Sequence, residues 1–126
     1  WESLLPLYES VAQNFRIIDD SGQVLWVDGD KRHSIAALGE DEDGFLYFIH
    51  TPGFVTVPEF VRALSVLSVR FTRLMYVEGG HPAALHIRTQ KLTRTWLGRS
   101  ANFLQENPAS SPLPNVIVVR SKADSK

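Results

Sequence analysis

The feature that most restricts how this chain folds is an apolar run that ends in an acid and two glycines. The run at 72–77 leads into Glu-Gly-Gly-His at 78–81, and a second run of alternating character follows at 84–89. Short apolar runs bounded by glycine are typical of β-strands, and glycine permits a tight turn or a close approach of the backbone to a ligand. The pattern predicts a hairpin whose turn carries a carboxylate and an imidazole.

The rest of the chain also alternates between short apolar runs and polar turns. We predict strands at 15–18, 24–27, 34–38, 45–50 and 115–120, and helices at 2–13 and 56–66. The second helix has the best local signal, because Thr56 and Glu59 form a capping box and Pro58 lies in the first turn. Residues 39–44 are predicted to form an acidic hairpin turn, and the secondary structure of residues 91–107 is ambiguous. These elements predict an α+β fold: a mixed, mostly antiparallel sheet built from hairpins, with two or three helices packed on it.

Composition bounds the function classes. The 126 residues are enough for one domain, 1–126, with a polar tail at 121–126. A net charge of −1 gives no overall basic field for nucleic acid, and the absence of cysteine excludes disulfides and thiolate metal sites within this sequence. No apolar run approaches the roughly 20 residues of a membrane-spanning helix. Because the sequence starts at Trp1 and its only methionine is Met75, we expect a fragment or a processed chain.

An ordered series of motifs carries a family resemblance. The series is Arg-His-Ser-Ile-Ala-Ala-Leu-Gly at 32–39, Asp-Gly-Phe-Leu-Tyr-Phe at 43–48, the helix at 57–66, Tyr-Val-Glu-Gly-Gly at 76–80 and Leu-Pro-Asn-Val-Ile-Val-Val at 113–119. In order and spacing it resembles the phosphodiester glycosidase domain, the domain of the lysosomal uncovering enzyme, and most closely its bacterial branch. The resemblance covers most of the chain, and it implies that a further N-terminal portion of the domain is missing here.

The resemblance implies hydrolysis of a sugar-phosphodiester in a glycan or cell-envelope substrate. Glu78 would be the general acid or base, and Arg32 would bind the phosphate with two parallel hydrogen bonds. His81 is not typical of the family; from its chemistry and its place in the turn it would protonate a leaving oxygen or ligate a metal. Structural roles remain open for all three: a carboxylate that pins the turn, a surface arginine and a turn histidine. A second carboxylate is usual in glycoside hydrolysis, and Asp28 and Asp30 are the available candidates.

The same resemblance implies a substrate-binding set. Ser34 would donate a hydrogen bond to the substrate, or would be a small packing residue, and Gly79 and Gly80 would offer backbone amides to substrate oxygens. No cofactor and no metal are implied, because His33, His50 and His86 show no metal-binding spacing. We expect Tyr76 and Trp26 to be core residues rather than sugar-stacking platforms.

The expected partner is a carbohydrate or sugar-phosphate substrate, with no nucleic acid and no membrane span. The missing N-terminal part of the same domain is a second candidate partner. The resemblance implies a secreted or periplasmic protein. One rival interpretation is a glycan-binding module without catalysis, because the turn has Glu78 and His81-Pro82 where the best-known members have Asp and Gly-Ser. A second rival is a structural fragment that pairs with a separate chain.

Overall fold

The computed structural model describes residues 5–9, 11–99, 112–113 and 116–121. In chain order, the elements are a 3₁₀-helix (Leu5–Leu7), β1 (Arg16–Ile18), β2 (Ile35–Asp41), β3 (Leu46–His50), α1 (Val57–Ser65), β4 (Phe71–Gly79), β5 (Leu85–Arg88) and β6 (Thr93–Trp96). Strands β1, β4, β2 and β3 form an antiparallel sheet in that spatial order, and β5 and β6 form a separate two-stranded sheet. The α+β class and the mostly antiparallel sheet are confirmed, whereas the described residues contain one α-helix rather than two or three.

Helix α1 begins where the sequence predicts. The Thr56 hydroxyl accepts a hydrogen bond from the Glu59 amide at 3.2 Å, and the Glu59 carboxylate accepts one from the Thr56 amide at 2.9 Å. The capping box therefore satisfies two backbone donors that the first turn of a helix leaves open. Val57, Phe60 and Leu64 are buried on one face of the helix, as its apolar spacing requires.

The core lies on the side of the sheet that faces α1. Its buried residues are Ile17, Ile18, Ile35, Ala37, Val57, Phe60, Leu64 and Leu74. Ile35 and Ala37 alternate along β2 and share a face with Leu74, which lies opposite Gly39 in the ladder. Because β2 has β4 on one side and β3 on the other, it is a central strand and most of its residues are buried. Strand β2 therefore places the residues next to Ser34 at the centre of the molecule.

Three predicted elements differ from the structure. Residues 24–27 form no strand; Val24 makes only a single bridge to Ile18. The described part of the predicted helix 2–13 contains only the 3₁₀-turn Leu5–Leu7, because the exposed Tyr8 and Val11 supply no packed apolar face to hold a longer helix. Residues 116–120 pair with no strand among the described residues and are exposed, and a lone strand without a partner is not stable.

The remaining segments follow the prediction more closely. The hairpin of β2 and β3 matches the predicted strands at 34–38 and 45–50, with Leu38 opposite Phe48. In the ambiguous stretch 91–107, β6 occupies Thr93–Trp96, and residues 100–107 lie outside the described residues. The polar tail at 121–126 is described only at Ser121.

Candidate functional site

The candidate site is the corner where β4 ends, formed by residues 78–83. Ile35 lies opposite Gly79 in the β2–β4 ladder, and the amide of Gly80 donates a hydrogen bond to the carbonyl of Ser34 at 2.8 Å. Gly80 has a φ of +72°, a backbone conformation that residues other than glycine seldom adopt. A hydrogen bond of 3.2 Å from the Ala83 amide to the Gly80 carbonyl closes the turn.

The predicted hairpin across this corner is wrong. Strand β5 does not pair with β4; it pairs with β6, with Leu85 opposite Trp96 and Arg88 opposite Thr93. Both sides of β4 are already occupied, by β1 and by β2, so β4 has no free edge for the strand that follows it. The chain leaves the sheet at the corner and forms a second sheet of its own.

Ser34 and Gly98 hold the corner from two distant parts of the sequence. Ser34 is fully buried; its hydroxyl accepts a hydrogen bond from the Arg99 amide at 2.9 Å, and its own amide donates one to the Arg99 carbonyl at 2.9 Å. A Cβ at Gly98 would collide with the carbonyl oxygens of Gly80 and Ala83. Ser34 therefore joins β2 to the segment that returns from β6, and only glycine fits where that segment crosses the corner.

Two aromatic side chains lie over Gly79. The Tyr76 hydroxyl is 3.1 Å from Nε2 of His33, and the two rings meet edge to face with centroids 6.4 Å apart. A Cβ at Gly79 would collide with both side chains. The ladder shifts between Ala36 and Ala37, and this irregularity brings Tyr76 and Gly79, three positions apart, to one face of the sheet.

Tyr76 and His33 are both uncharged at neutral pH. Burial, and secondarily the charge of Glu78, raises the pKa of Tyr76 to about 12, so its hydroxyl keeps its proton. Burial, and secondarily the charge of Lys31, lowers the pKa of His33. The corner thus presents a phenol and a neutral imidazole, each able to donate or accept a hydrogen bond.

Glu78 stands at the end of β4, opposite Ala36. Its carboxylate accepts a hydrogen bond from the Gly79 amide at 3.0 Å, and no other hydrogen bond to this carboxylate is found among the described residues. The Gly79 and Gly80 amides are both engaged within the corner, and the shifted ladder places Glu78 opposite Ala36 and Tyr76 opposite Ala37, on the other face of the sheet. The sequence interpretation placed Tyr76 in the core and gave His33 a structural role, and no local spacing in the sequence indicates that these two side chains meet.

The structure does not bring Arg32 to Glu78. Arg32 Nη1 is 2.9 Å from Oε1 of Glu59, so the guanidinium lies at the start of α1. The Glu59 carboxylate is thereby shared between the helix cap and Arg32; the hydrogen bond from the Thr56 amide, and next to it Arg32, outweigh its burial and lower the pKa of Glu59. Asp28 and Asp30 are exposed and make no hydrogen bond to the corner among the described residues.

One histidine belongs to the corner itself, and a second one, at the end of β3, contacts the corner. His81 is half-buried and directly follows Gly80, and His50 contacts the carbonyl of Ala83 through Nε2 at 3.1 Å. Burial lowers the pKa of His50, although the contact with that carbonyl opposes the shift. In the part of the chain that the structure describes, no group of three or more histidine or carboxylate side chains is arranged to hold a metal ion, and no helix is long and apolar enough to cross a bilayer.

A separate cavity of about 550 Å³ lies near the other end of β4, lined by Arg16, Leu38, Glu40, Arg73 and Met75 among others. Its arginines are already paired: Arg73 contacts Glu40 at 3.0 Å and Asp20 at 2.7 Å, and Arg16 contacts Asp20 at 3.4 Å. We therefore place the candidate site at the corner, where no cation of the described residues forms an ion pair with the Glu78 carboxylate, rather than at this cavity.

In comparisons with known proteins, no family model, no curated protein and no solved structure matches this chain. A function for this chain therefore rests on the chemistry of the corner and on the order of the sequence motifs.

Proposed function

We propose that this domain hydrolyses glycosidic phosphodiesters, with Glu78 as the general base. The observation that carries the proposal is the position of Glu78 at the end of β4, where the Gly79 amide is the one hydrogen-bond donor found for its carboxylate among the described residues and no ion pair to it is found there. A carboxylate in this setting is able to take a proton from water.

The proposed reaction needs only one carboxylate. Water, deprotonated by Glu78, attacks the anomeric carbon, and the bond between that carbon and the phosphate oxygen breaks. The electron pair leaves on the phosphate, giving a phosphomonoester and a free sugar. Because a phosphomonoester has a second pKa near 6, it leaves at neutral pH without being protonated. An ordinary glycoside leaves as an alkoxide, and this is why glycosidases commonly need a second carboxyl group as acid.

The proposal also accommodates the other expected partners. A carbohydrate or sugar-phosphate substrate follows from this chemistry, and a secreted or periplasmic location follows from the family resemblance. His81 is placed to contact a substrate at the turn, and Arg32, paired with Glu59, has no role in the reaction as proposed.

The test is Glu78→Gln, assayed by release of free reducing sugar from an alkyl diester of a sugar 1-phosphate. The amide keeps the size of the side chain and still accepts the hydrogen bond from Gly79, but it cannot act as a base. We expect turnover to fall by about 10²- to 10⁴-fold. Glu42→Gln is the matched control, because Glu42 is an exposed carboxylate on the β2–β3 turn whose partner is Arg70. Equal turnover in wild type and Glu78→Gln contradicts the proposal.

A second candidate function is glycan binding without turnover. It is favoured by the hydrogen bond between the Glu78 carboxylate and the Gly79 amide, which suits a group that holds the turn as well as one that reacts. In this case, wild-type protein binds the diester and releases no sugar. Binding measured by calorimetry alongside the reducing-sugar assay distinguishes the two candidates.

A further inference from the structure

The hairpin of β5 and β6 is uniformly basic. Between Glu78 and Glu106 the sequence contains no acidic residue, and it contains four cationic residues: Arg88, Lys91, Arg94 and Arg99. All four are exposed. Since the whole chain carries a net charge of −1, this positive charge is segregated from the acids rather than spread over the surface. We call residues 85–99 the basic arm.

Among the residues that the structure describes, no acid forms an ion pair with a cation of the basic arm. The ion pairs found among the described residues involve Arg16, Arg32, Arg70 and Arg73, and none involves a residue of the arm. The guanidinium carbon of Arg94 lies 4.8 Å from the ring centroid of Trp96. Stacking of this kind uses the face of the guanidinium and leaves its N–H edge available for an anion.

The basic arm has a defined geometry. Its strands pair from Leu85 opposite Trp96 to Arg88 opposite Thr93. At its tip, the Thr89 amide donates to the Leu92 carbonyl at 2.7 Å, and the Thr89 hydroxyl accepts from the Leu92 amide at 3.0 Å. These bonds close the turn that carries the exposed Lys91.

The base of the arm is part of the corner. Arg99 is bound through its backbone to Ser34, and Gly98 packs against the carbonyl oxygens of residues 80, 81 and 83. Four residues of strand extend about 14 Å, which exceeds the Debye length of about 10 Å in 0.1 M salt. A single phosphodiester therefore cannot interact with the cations at the base and at the tip together; an extended chain of negative charges can.

We propose that the basic arm binds an extended polyanion, a polymer of sugar phosphates joined by phosphodiester bonds, and directs it to the corner. This inference rests on the proposed function and specifies its substrate class. It also gives the phosphate charge a partner, since Arg32 is paired with Glu59. Nucleic acid fits less well, because single strands are held by bases stacked on aromatic faces and the indole ring of Trp96 is already stacked with Arg94.

The test compares two double variants that change the net charge equally. Arg88→Gln with Lys91→Gln removes two of the four cations of the arm; Arg62→Gln with Arg70→Gln neutralises two exposed arginines outside it. The probe is a soluble linear polymer of sugar 1-phosphate units, with affinity measured by calorimetry at several salt concentrations. We expect the arm variant to bind about tenfold more weakly at low salt, and the slope of log K against log salt to become shallower by about 1.5 to 2.

Three outcomes overturn the inference: no binding by the wild type, equal loss of affinity in both double variants, or tighter binding of single-stranded DNA than of the sugar-phosphate polymer. Unchanged circular dichroism confirms that each variant is folded. The assay measures binding and not turnover, so its result is independent of the Glu78→Gln experiment. Failure of the arm to bind and failure of Glu78 as a base are thus distinguishable.

Discussion

Two turns in this protein have the same composition, an acid and glycine after a strand, and only one of them closes a hairpin. At the turn between β2 and β3, the Asp41 carboxylate accepts hydrogen bonds from the amides of Asp43 at 3.0 Å and Phe45 at 2.9 Å. The bonds that close that turn lie within residues 41–45, and the Glu42 amide additionally donates to the Arg70 carbonyl at 3.2 Å. At the corner after β4, the closing bond runs from Gly80 to Ser34, and Gly98 packs on the turn from the other side.

The difference explains why one turn was predictable and the other was not. The acidic turn contains the acceptor, the amides and a glycine with a φ of +81° in one short segment, so its residues determine its shape. The corner has the same kinds of residue, but its shape depends on Ser34 and Gly98, which lie about 15 to 46 positions away along the chain. A local motif indicates that the chain turns; the partners of the turn decide where the next strand goes.

The largest effect is expected from Gly98→Ala, which disrupts the packing of Gly98 against the backbone of the corner. Its new methyl group collides with carbonyl oxygens of the corner, which are backbone atoms and cannot rotate away. We expect a loss of about 3 kcal/mol in the free energy of unfolding, measured by denaturant titration. Gly53→Ala is the control, because nothing lies within 4 Å of a Cβ at Gly53. Equal stability of the two variants would show that the contacts of Gly98 do not stabilise the corner.

A smaller effect is expected from Gly44→Ala at the acidic turn. Here there is open space around the new Cβ, and the penalty comes only from the φ of +81°. We expect a loss of about 1 kcal/mol, with faster amide hydrogen exchange limited to residues of this hairpin. Gly44→Asn should lose less, since asparagine tolerates this conformation better than alanine does. If exchange also accelerates at residues 78–83, the two turns are not independent.

A further difference between the two turns is a pH dependence that distinguishes the tyrosine near each of them. The hydrogen bond to Asp41, and secondarily burial, raises the pKa of Tyr47, whereas burial and then the charge of Glu78 raise the pKa of Tyr76 to about 12. Because the folded pKa of Tyr76 exceeds the ordinary value of 10.0, its contribution to stability is complete below pH 10 and is lost as the pH rises toward 12. Unfolding measured at pH 9 to 12 should show this loss.

Single substitutions assign the two phenolate titrations to Tyr76 and Tyr47. Tyr76→Phe should abolish the late phase of the phenolate absorbance titration, and Asp41→Asn should move Tyr47 toward the ordinary tyrosine pKa. Glu78→Gln should lower the pKa of Tyr76 only slightly, because burial is the larger cause. A large decrease in Glu78→Gln indicates that the charge of Glu78, rather than burial, controls the phenol.

The parts of the fold that were predicted correctly are those with local causes. The capping box of Thr56 and Glu59, the apolar face of α1 and the β2–β3 hairpin all follow from residues that lie within a few positions of one another. The predictions of a strand at 24–27 and of a hairpin across the corner are wrong, because a strand can pair with several distant segments and its local sequence does not select among them. In the candidate site, Glu78 was found from sequence, but its neighbours Tyr76 and His33 were not, since 43 positions separate them and only the β2–β4 sheet brings them together.

By itself, the sequence determined the class of the fold, the boundaries of α1, the acidic turn and the segregation of positive charge between residues 78 and 106. Each of these depends on composition or on hydrogen bonds within one short segment. Only the tertiary structure decided that β4 lies between β1 and β2, that Arg32 pairs with Glu59 and that the corner is closed by Ser34 and Gly98. Such contacts join segments far apart in the chain, and they form only where burial of the shared core outweighs the entropy of bringing those segments together.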